Sequence, residues 1–368
     1  MKISDYYTYA PKSKIKAGDA NPNGKYQFYT SSPDESRRCD EYLYDCKATV
    51  MGTGGSATLH YYDGKFSTST DCLTLIPNEK IRAKYLYYFF LANMDVLEAG
   101  FKGAGLKHTS KGYIDNIEIT KIPSLPSQDK IVNLFDELAL RIEKERRQIE
   151  KLDELVKARF VEMFGGIDLA PQNKEWTKIS DIGEVVSGST PKTSIKEYWN
   201  GNICWITPAE LSNMSGIIYD SKKKITERGK SSCSLRMMPS RTVILSSRAP
   251  IGKVALLGKE MCCNQGFKNI ICNEKVAPEY LYYLLGYNTI FLNSLGRGAT
   301  FKEISKKIVG EIKVPLPAKE LQNQFAVFTR QVDKSKFVLS NELTMCDFYI
   351  RLIHDRVMHS RINLRVAQ

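Results

Sequence analysis

The chain contains an internal repeat, and this repeat limits the possible fold more than any other feature of the sequence. The stretch KYLYYFF at Lys84–Phe90 recurs as EYLYYLL at Glu279–Leu285. At the same spacing, GAGLK at Gly103–Lys107 corresponds to GATFK at Gly298–Lys302. Because self-similarity along a chain indicates repeated structural units, we expect two globular units of the same design.

The match extends through both halves of the chain, but its spacing changes once. Ser69–Pro77 corresponds to Asn264–Cys272 at the first spacing, whereas KISD recurs as Lys2–Asp5 and Lys178–Asp181 at a shorter one. The second copy therefore carries an insertion. We expect it within Ser215–Ser232, a polar and lysine-rich stretch that is typical of a loop.

A long amphipathic segment follows each copy. In Ser127–Phe164 and Ala318–Val357, apolar residues recur at three- and four-residue steps, including Leu134 in the first segment and Phe337 and Phe348 in the second. Both patterns predict long helices. Since neither helix can bury its apolar stripe alone, we expect the two to pack as an antiparallel coiled coil. A helix of about 36 residues is about 54 Å long, so the pair would act as a spacer.

The remaining segments have a mixed pattern. Runs with a high β propensity, such as Thr242–Ser247 and Lys253–Leu257, alternate with glycine-containing turns. Each YLYY sequence lies in an apolar run that predicts a single helix, over Arg82–Ala99 and over Ala277–Leu295. Its tyrosines alternate between core and rim positions, which indicates a structural packing role. We therefore expect an α+β fold: two mixed α/β units separated by two long helices.

The charge and the cysteine content narrow the class of protein. The net charge of +12 favours an acidic partner, most often a nucleic acid. Nine cysteines without a CxxC pair, and no signal-like N-terminus, indicate a reduced, cytoplasmic protein. No apolar run approaches the roughly 20 residues of a membrane span, and the few histidines make a metal site unexpected.

Basic residues gather in loops that contain glycine, serine and asparagine, and these loops occupy matching places in the two copies. In such loops, backbone N–H groups and cationic side chains can approach phosphates. Asn and Gln can read adenine edges, and Arg and Lys can read guanine. For any single loop, ordinary turn chemistry is the alternative. The loops are Gly52–Lys65, Phe101–Lys111, Ser187–Gly201, Ser246–Lys253, Asn264–Lys268 and Gly296–Lys302.

A search for catalytic motifs leaves one alternative reading. Gly52–Thr58 lacks the Gly-Lys-Ser/Thr ending of a phosphate-binding P-loop. Asp34, Asp45 and Lys47 resemble the carboxylates and lysine of a metal-dependent nuclease, but the corresponding Pro239–Val243 of the second copy has no carboxylate. A stand-alone nuclease and a coiled-coil adaptor without a role in DNA recognition stay open as alternatives.

The chain resembles the specificity subunits of type I restriction–modification systems. In the second copy the resemblance is carried by SGSTPKTSIKEYWNGNICWIT (Ser187–Thr207), SSRAPIGKVAL (Ser246–Leu256), NQGFKNI (Asn264–Ile270) and VPLPAKELQNQF (Val314–Phe325). The first copy matches more loosely, through stretches such as IPSLPSQDKIVNLFD (Ile122–Asp136). The region that these motifs match covers almost the whole chain, and their alternating order is specific.

The resemblance implies a non-catalytic subunit that reads a bipartite DNA target, with one half-site for each recognition domain. It implies two methyltransferase subunits docked on the helices, with restriction subunits joining them. S-adenosylmethionine, ATP and magnesium would then be bound by those partners, and this chain would hold no cofactor. The implied segments are a first recognition domain (1–126), a spacer helix (127–165), a second recognition domain (166–317), a spacer helix (318–358) and a tail (359–368).

The resemblance, together with the loop chemistry, also selects candidate DNA contacts. In the first copy the candidates are Ser31, Ser32, Ser56, Lys102, Lys107 and His108. In the second copy they are Ser189, Thr190, Lys192, Arg248, Lys253, Gln265, Lys268, Arg297 and Lys302. Lys and Arg would hold phosphates, and a smaller set would contact base edges.

Overall fold

The computed structural model describes residues 1–165, 168–233, 235–248, 250–298 and 302–353. The residue contacts divide the chain into two units. Unit 1 consists of Met1–Arg147 together with the described residues from Leu339 onward, and unit 2 consists of Gln148–Val338. Each unit therefore includes part of both long helices. No helix among the described residues is both long and apolar enough to cross a membrane.

Unit 1 is built on one six-stranded sheet with the order β1-β6-β4-β5-β2-β3. All neighbouring pairs are antiparallel except β2 and β5, which run parallel. The strands are β1 (Tyr7–Tyr9), β2 (Tyr26–Tyr29), β3 (Arg38–Cys39), β4 (Tyr44–Gly52), β5 (Thr58–Thr68) and β6 (Cys72–Pro77). The helices that begin in this unit are α1 (Ala83–Ala92), α2 (Met94–Ala99), α3 (Lys111–Asp115) and the long α4 (Leu125–Phe164).

Unit 2 contains more and shorter strands. They are β7 (Thr177–Lys178), β8 (Gly183–Ser187), β9 (Trp199–Ile206), β10 (Met214–Ile218), β11 (Lys223–Ile225), β12 (Val243–Ser246), β13 (Val254–Leu257), β14 (Cys262–Cys263), β15 (Phe267–Cys272) and β16 (Lys313–Val314). The helices are α5 (Ile179–Ile182), α6 (Glu227–Ser231), α7 (Pro278–Tyr287), α8 (Thr289–Ser294), α9 (Lys306–Glu311) and the long α10 (Lys319–Ile353). The main sheet has the order β10-β13-β12-β15-β8, and β11-β9-β14 form a second sheet.

The sequence repeat corresponds to a structural repeat. The order β1-β6-β4-β5 of unit 1 matches β8-β15-β12-β13 of unit 2, and α1, α2 and α3 match α7, α8 and α9. Tyr85 and Tyr280, at equivalent places in the two YLYY sequences, are both 0% exposed. The apolar strands β12 and β13 are buried throughout, as expected for central strands covered on both faces. These positions confirm the α+β class and the predicted packing role of the tyrosines.

The insertion of the second copy is folded, and the expectation of a loop there is wrong. Ser215–Ser232 includes most of β10 together with β11 and α6. β10 extends the main sheet by pairing parallel with β13, and β11 pairs with β9. The Thr226 hydroxyl caps α6 by accepting a hydrogen bond from the Gly229 N–H at 3.1 Å. The strands are short and partly exposed, so their composition is polar enough to resemble a loop.

The single helix expected at each YLYY sequence is instead a pair of helices. Asn93 separates α1 from α2, with φ −121° and ψ 38°. Its side-chain amide donates to the Phe89 carbonyl at 2.7 Å, which competes with the regular helical hydrogen bonds. Asn288 does the same to the Leu284 carbonyl between α7 and α8, at 2.8 Å. The equivalent asparagine therefore interrupts the helix at the same place in both copies.

The long helices run antiparallel within each unit. In unit 1, Arg141 of α4 contacts Glu342 of α10 at 3.2 Å, and the earlier Phe135 shares a hydrophobic cluster with the later Ile350. In unit 2, the Phe160 and Phe325 rings lie 5.3 Å apart. There the earlier Asp153 of α4 pairs with the later Lys336 of α10. The predicted helix end at 354–358 and the tail at 359–368 lie outside the described residues.

Part of each predicted apolar stripe is exposed. Leu134 is 43% exposed, Phe337 is 67% exposed and Phe348 is 56% exposed. Leu140, Met345 and Tyr349 are also exposed in unit 1, and Leu155, Val161, Val327 and Val338 are exposed in unit 2. The two helices cover only part of each other's apolar surface, and the rest faces outward.

A buried glutamine joins α4 to the first copy. The side chain of Gln128 is 0% exposed. Its Oε1 accepts a hydrogen bond from the Arg82 N–H at 2.7 Å, just before α1 begins. Its Nε2 donates to the Lys80 carbonyl at 3.2 Å and to the Pro123 carbonyl at 2.9 Å. One amide therefore connects the helix, the chain that precedes it and the loop before α1.

A second buried glutamine makes the equivalent set of hydrogen bonds in unit 2. Gln322 of α10 is also 0% exposed, and its Oε1 accepts from the Ala277 N–H at 2.7 Å. Its Nε2 donates to the Lys275 carbonyl at 3.3 Å and to the Pro317 carbonyl at 2.8 Å. Each buried glutamine thus satisfies both amide hydrogens and its carbonyl oxygen with backbone groups.

We predict that Gln128→Ala and Gln322→Ala each destabilise their own unit by about 1–3 kcal/mol, because three backbone groups lose their partner. Urea unfolding measures the loss, and amide hydrogen exchange at Arg82 or Ala277 locates it. Gln148→Ala and Gln331→Ala are matched controls, since both glutamines are exposed on the same helices. Equal effects of buried and exposed substitutions would contradict the proposed joint.

Candidate nucleic-acid interface

A short hairpin carries basic candidates at the same place in each copy. In unit 1, Lys102 and His108 exchange two backbone hydrogen bonds of 3.0 Å. In unit 2, Arg297 and Glu303 exchange bonds of 3.1 and 3.0 Å, although 299–301 between them lie outside the described residues. Each hairpin turns through a glycine with a left-handed φ, +147° at Gly103 and +125° in the second copy. The backbone pairing that flanks GAGLK is therefore repeated around GATFK, where Arg297 pairs with Glu303.

The hairpin of unit 1 rests on the neighbouring glycine loop. The Gly55 N–H donates to the Lys107 carbonyl at 2.8 Å, and the Thr109 N–H donates to the Thr53 carbonyl at 3.0 Å. The Ser31 hydroxyl supports this loop by accepting from the Thr53 and Gly54 N–H groups at 3.2 and 3.3 Å. Ser31 is thus engaged inside the loop cluster, whereas the candidates Ser56, Lys102, Lys107 and His108 are exposed around it.

Ser32 contacts a buried histidine, and the sequence pattern does not indicate this contact. Its carbonyl lies 3.1 Å from Nε2 of His60, a residue that is 2% exposed. Nδ1 of the same ring lies 2.9 Å from the Glu35 carboxylate, and the ring stacks on Tyr29. Nothing in the sequence links His60 to a loop about 25 residues earlier, because strand pairing brings them together.

In unit 2, Glu303 contacts three of the cationic candidates. Its carboxylate lies 3.0 Å from Nε of Arg248 and 3.2 Å from Nζ of Lys268, and its backbone pairs with Arg297. Lys268 is 6% exposed, so its ammonium depends on this partner and on the Ser247 hydroxyl at 3.2 Å. Arg248 and Arg297 are exposed beside it. The sequence had singled out the three cations but not the acid between them.

The carboxyl of Glu303 is held in its charged form. Partial burial on its own would raise the pKa of this carboxyl, but the hydrogen bond and charge of Lys268, together with Arg248, lower it below its ordinary value. The carboxylate therefore keeps the Arg248 guanidinium oriented at neutral pH. A groove of about 900 Å³ lies next to this cluster, and Lys268, Arg297, Lys306 and Lys307 are among its lining residues.

Two indoles fix the loop that follows β8. The Nε1 of Trp205 donates to the Ser189 carbonyl at 3.0 Å, and the Nε1 of Trp199 donates to the Lys192 carbonyl at 3.3 Å. The Thr190 hydroxyl accepts from the Asn264 amide at 2.9 Å. These three hydrogen bonds hold the backbone of the loop in place. The side chain of Lys192 is exposed on this loop.

The loops of unit 2 form one contiguous surface. The Ser247 N–H donates to the Gly266 carbonyl at 2.7 Å, and its carbonyl accepts from the Ile304 N–H at 3.0 Å. Ser247 thereby links the loop of Gln265, which is exposed, to the hairpin that ends at Glu303. Lys302 is exposed on that hairpin. The structure brings together candidates from three loops that lie up to about 50 residues apart in the sequence.

Lys253 differs from the other candidates. Its Nζ donates to the Leu211 carbonyl at 2.5 Å and to the Pro208 carbonyl at 3.2 Å. The ammonium therefore ties the Ser246–Lys253 loop to the short turn at Pro208–Glu210. A lysine used in this way supports the backbone of the surface, and its charge is directed into the protein.

Two of the three nuclease-like residues, Lys47 and Asp34, have structural partners. Lys47 pairs with Asp63 across β4 and β5 at 3.0 Å, and Asp34 caps its own loop by accepting from the Ser36 N–H at 2.9 Å. The pKa of Asp34 is lowered mainly by hydrogen bonds from Ser36. Within the described parts of the chain, no group of three or more His, Cys, Asp or Glu side chains is arranged to hold a metal ion.

Comparison with known proteins assigns the family. Residues 1–154 and 171–344 match the family model described as the type I restriction modification DNA specificity domain. The chain is similar to the specificity subunit of type I restriction enzyme MjaIX from Methanocaldococcus jannaschii, with 43% identity over 184 residues, 49% of this chain and 43% of the relative. It is also similar to the EcoR124I/EcoR124II specificity subunit from Escherichia coli, at 24% identity over 76% of this chain and 69% of that one.

A solved structure has the same fold. The crystal structure of a type I restriction-modification system S subunit from M. genitalium matches with a TM-score of 0.67 and 16% identity, covering 96% of this chain and 94% of the other. The alignment with the M. jannaschii relative covers less than half of that relative's length. The family model matches most of the chain. The chain therefore belongs to the type I restriction modification DNA specificity domain family. The resemblance expected from the sequence motifs is confirmed.

We predict that Glu303→Gln lowers the melting temperature at pH 7, because buried Lys268 loses its counter-charge. Since the pKa of Glu303 is lowered by folding, its stabilisation is complete above the ordinary value of 4.5 and is lost as pH falls through the lower folded value. The difference between wild type and variant should therefore shrink at acid pH. The exposed Glu260→Gln is the control, and a difference that does not change with pH would contradict this role.

Proposed function

We propose that the chain is the DNA specificity subunit of a type I restriction–modification complex and that each copy reads one half of a bipartite target. The observation that carries this proposal is the repeated hairpin, because two equivalent basic surfaces on one chain fit two half-sites. The relatives are named as specificity subunits, which supports a non-catalytic role. The recognition domains would comprise 1–126 and 166–317, and the complex would be cytoplasmic.

The surface residues divide by chemistry. Lys102 and Lys107 in the first copy, and Arg297 and Lys302 in the second, are exposed on the hairpins and suit phosphate contacts. Arg248 is held in place by Glu303 through a 3.0 Å ion pair, which suits bidentate reading of a guanine edge. Gln265 is exposed on the adjacent loop and suits adenine. Ser31 and Lys253 support the backbone rather than contact DNA.

The outward apolar faces of α4 and α10 are the surfaces we propose for methyltransferase subunits. Exposed apolar side chains that line a helix mark protein contacts more often than solvent-facing surface. Leu140 in unit 1 is 66% exposed and Phe337 in unit 2 is 67% exposed, so each unit would dock one methyltransferase subunit. Restriction subunits would then join the complex, and the partners would bind S-adenosylmethionine, ATP and magnesium.

The proposal predicts a two-part methylation motif. Expressing the chain with its methyltransferase in a host that lacks other modification systems, and sequencing the methylated bases, should give two short defined segments separated by a fixed number of unspecified bases. A host that expresses the methyltransferase alone is the control. A single uninterrupted motif, or methylation that does not require this chain, would refute bipartite reading.

The docking proposal predicts a loss of assembly without a loss of folding. Leu140→Glu and Phe337→Glu should each reduce co-purification of the methyltransferase at least about tenfold, because a charge would be buried without a partner. Gln148→Glu and Gln331→Glu introduce the same charge at exposed polar positions of the same helices. Circular dichroism should be unchanged in all four variants. Equal assembly of the leucine variant and its glutamine control would contradict docking on this face.

A further inference from the structure

The groove of about 900 Å³ in unit 2 is lined by cations that have no carboxylate partner. Lys306 and Lys307 of α9 line it together with Arg297 of the hairpin, and all three side chains are exposed. Among the residues that the structure describes, none of these three forms an ion pair. Three such cations along one groove favour an anionic occupant.

The carboxylates of the groove do not cancel this charge. Glu311 pairs with Lys178 at 2.7 Å. Glu303 pairs with Arg248 at 3.0 Å and with the buried Lys268 at 3.2 Å. Because each carboxylate already has a cation of its own, the groove keeps a net positive charge.

The first copy has the same helix at the same place. Ser110 caps α3 and Ser305 caps α9, in each case by accepting a hydrogen bond of 3.2 Å from a backbone N–H of the first turn. The residue after the serine is an exposed lysine in both copies, Lys111 and Lys306. Each helix follows the hairpin that the two copies share. The two lysines therefore occupy equivalent positions beside equivalent hairpins.

An aromatic ring orients Lys111. Its ammonium lies 4.3 Å from the centre of the Tyr9 ring, within the range of a cation–π contact. The Tyr9 hydroxyl donates to the Asp115 carboxylate at 2.8 Å, and the Tyr7 hydroxyl donates to the same oxygen at 2.9 Å. The ring is therefore fixed, and it holds an ammonium that forms no ion pair within the part of the chain that the structure describes.

The chemistry of these cations identifies their occupant. A DNA backbone presents phosphates along its whole length, so equivalent cations on the two copies can bind two segments of one duplex. Resting on the proposed function, we infer that Lys111 and Lys306 bind DNA phosphates, one in each half-site, and that Lys307 adds a contact in the second half-site. Tyr9 is then a positioning residue for Lys111. Such contacts fix the duplex against the hairpins and carry no sequence information themselves.

The test measures the affinity of the full chain, assembled with its methyltransferase, for the mapped target duplex at a series of salt concentrations. Lys111→Ala and Lys306→Ala should each reduce the slope of log affinity against log salt by about one, because fewer counterions are released. The double variant Lys306→Ala/Lys307→Ala should reduce the slope by about two. Lys111→Arg retains the charge and should keep the wild-type slope.

Lys80 and Lys275 offer matched controls. They are exposed lysines at equivalent positions of the two copies, and they precede α1 and α7 instead of beginning α3 and α9. Lys80→Ala and Lys275→Ala should leave the salt slope unchanged. Circular dichroism and co-purification of the methyltransferase should be the same in all of the lysine variants, which separates a lost phosphate contact from a lost fold.

A methylphosphonate, which removes the charge of one phosphate, assigns each lysine to a half-site. At one phosphate of one half-site, the substitution should weaken binding by the wild type but not by Lys111→Ala. At a phosphate of the other half-site, the same should hold for Lys306→Ala. A loss that disappears in the variant shows that the lysine and the phosphate interact.

The positioning role of Tyr9 has its own readout. Tyr9→Leu should weaken DNA binding roughly two- to fivefold, the equivalent of one exposed cation–π contact, and only while Lys111 is present. Tyr9→Phe keeps the ring and should bind DNA like the wild type. An equal loss from Tyr9→Leu in the wild type and in Lys111→Ala would show that the tyrosine does not act through the lysine.

The outcomes separate these phosphate contacts from the proposed function. Unchanged salt slopes in Lys111→Ala and Lys306→Ala, with a two-part methylation motif intact, overturn the contacts while bipartite reading stands. Coupling of both lysines to phosphates of the same half-site also overturns them. Absence of DNA binding by the wild-type complex refutes the proposed function and the contacts together.

A free nucleotide is the other source of a phosphate, and competition distinguishes the two sources. ATP without magnesium, added at millimolar concentration to the complex on DNA at constant ionic strength, should displace no DNA. If ATP displaces DNA from the wild type but not from Lys306→Ala, the groove is a nucleotide site and the assignment to DNA phosphates is wrong.

Discussion

The buried amides of Gln128 and Gln322 are the interactions on which the rest of each unit depends. Each one binds a backbone N–H before the YLYY helix and two carbonyls, one of them at the start of a long helix. Because the amide satisfies groups from three segments at once, neither the helix nor the loop can shift without leaving buried polar groups unpaired. Within each unit, the start of the long helix and the segment before the YLYY helix are therefore held together.

The two copies share this frame and differ where they would meet DNA. Both present a hairpin closed by paired backbone bonds, yet the closing residue is His108 in one copy and Glu303 in the other. Glu303 holds two cations, including buried Lys268, whereas His108 is exposed. In the second copy β10 pairs parallel with β13 as β2 pairs with β5 in the first, whereas β9, β11 and β14 form a separate sheet. A common scaffold with different loop chemistry is what two unlike half-sites require.

The sequence predicted the features that depend on local pattern. The register of the repeat, the two long helices and the buried tyrosines follow from periodicity and from similarity between the copies. The break at Asn93 was missed because one side-chain hydrogen bond overrides an otherwise helical apolar run. The sequence of the insertion resembles a loop because short, partly exposed strands are polar, and strand pairing is not visible in composition.

The site was predictable as a set of loops but not as a set of contacts. Lysines and arginines could be selected by type, yet only the fold distinguishes exposed Lys192 from Lys253, whose ammonium is bound to two carbonyls. The same applies to Ser31, which holds a neighbouring loop. The sequence does not indicate Glu303, Trp205 or His60, because their partners lie 16 or more residues away and such contacts arise from tertiary packing.

The most direct measurement is an exchange of one copy. Residues 1–122 would be replaced by the corresponding segment of a family member with a different target, leaving Pro123, Gln128 and both long helices in place, and the methylated motif would be sequenced. If each copy reads one half-site, one half of the motif changes, while the other half and the spacing between them stay the same. A change in both halves, or an unchanged motif, would contradict independent reading by the two copies.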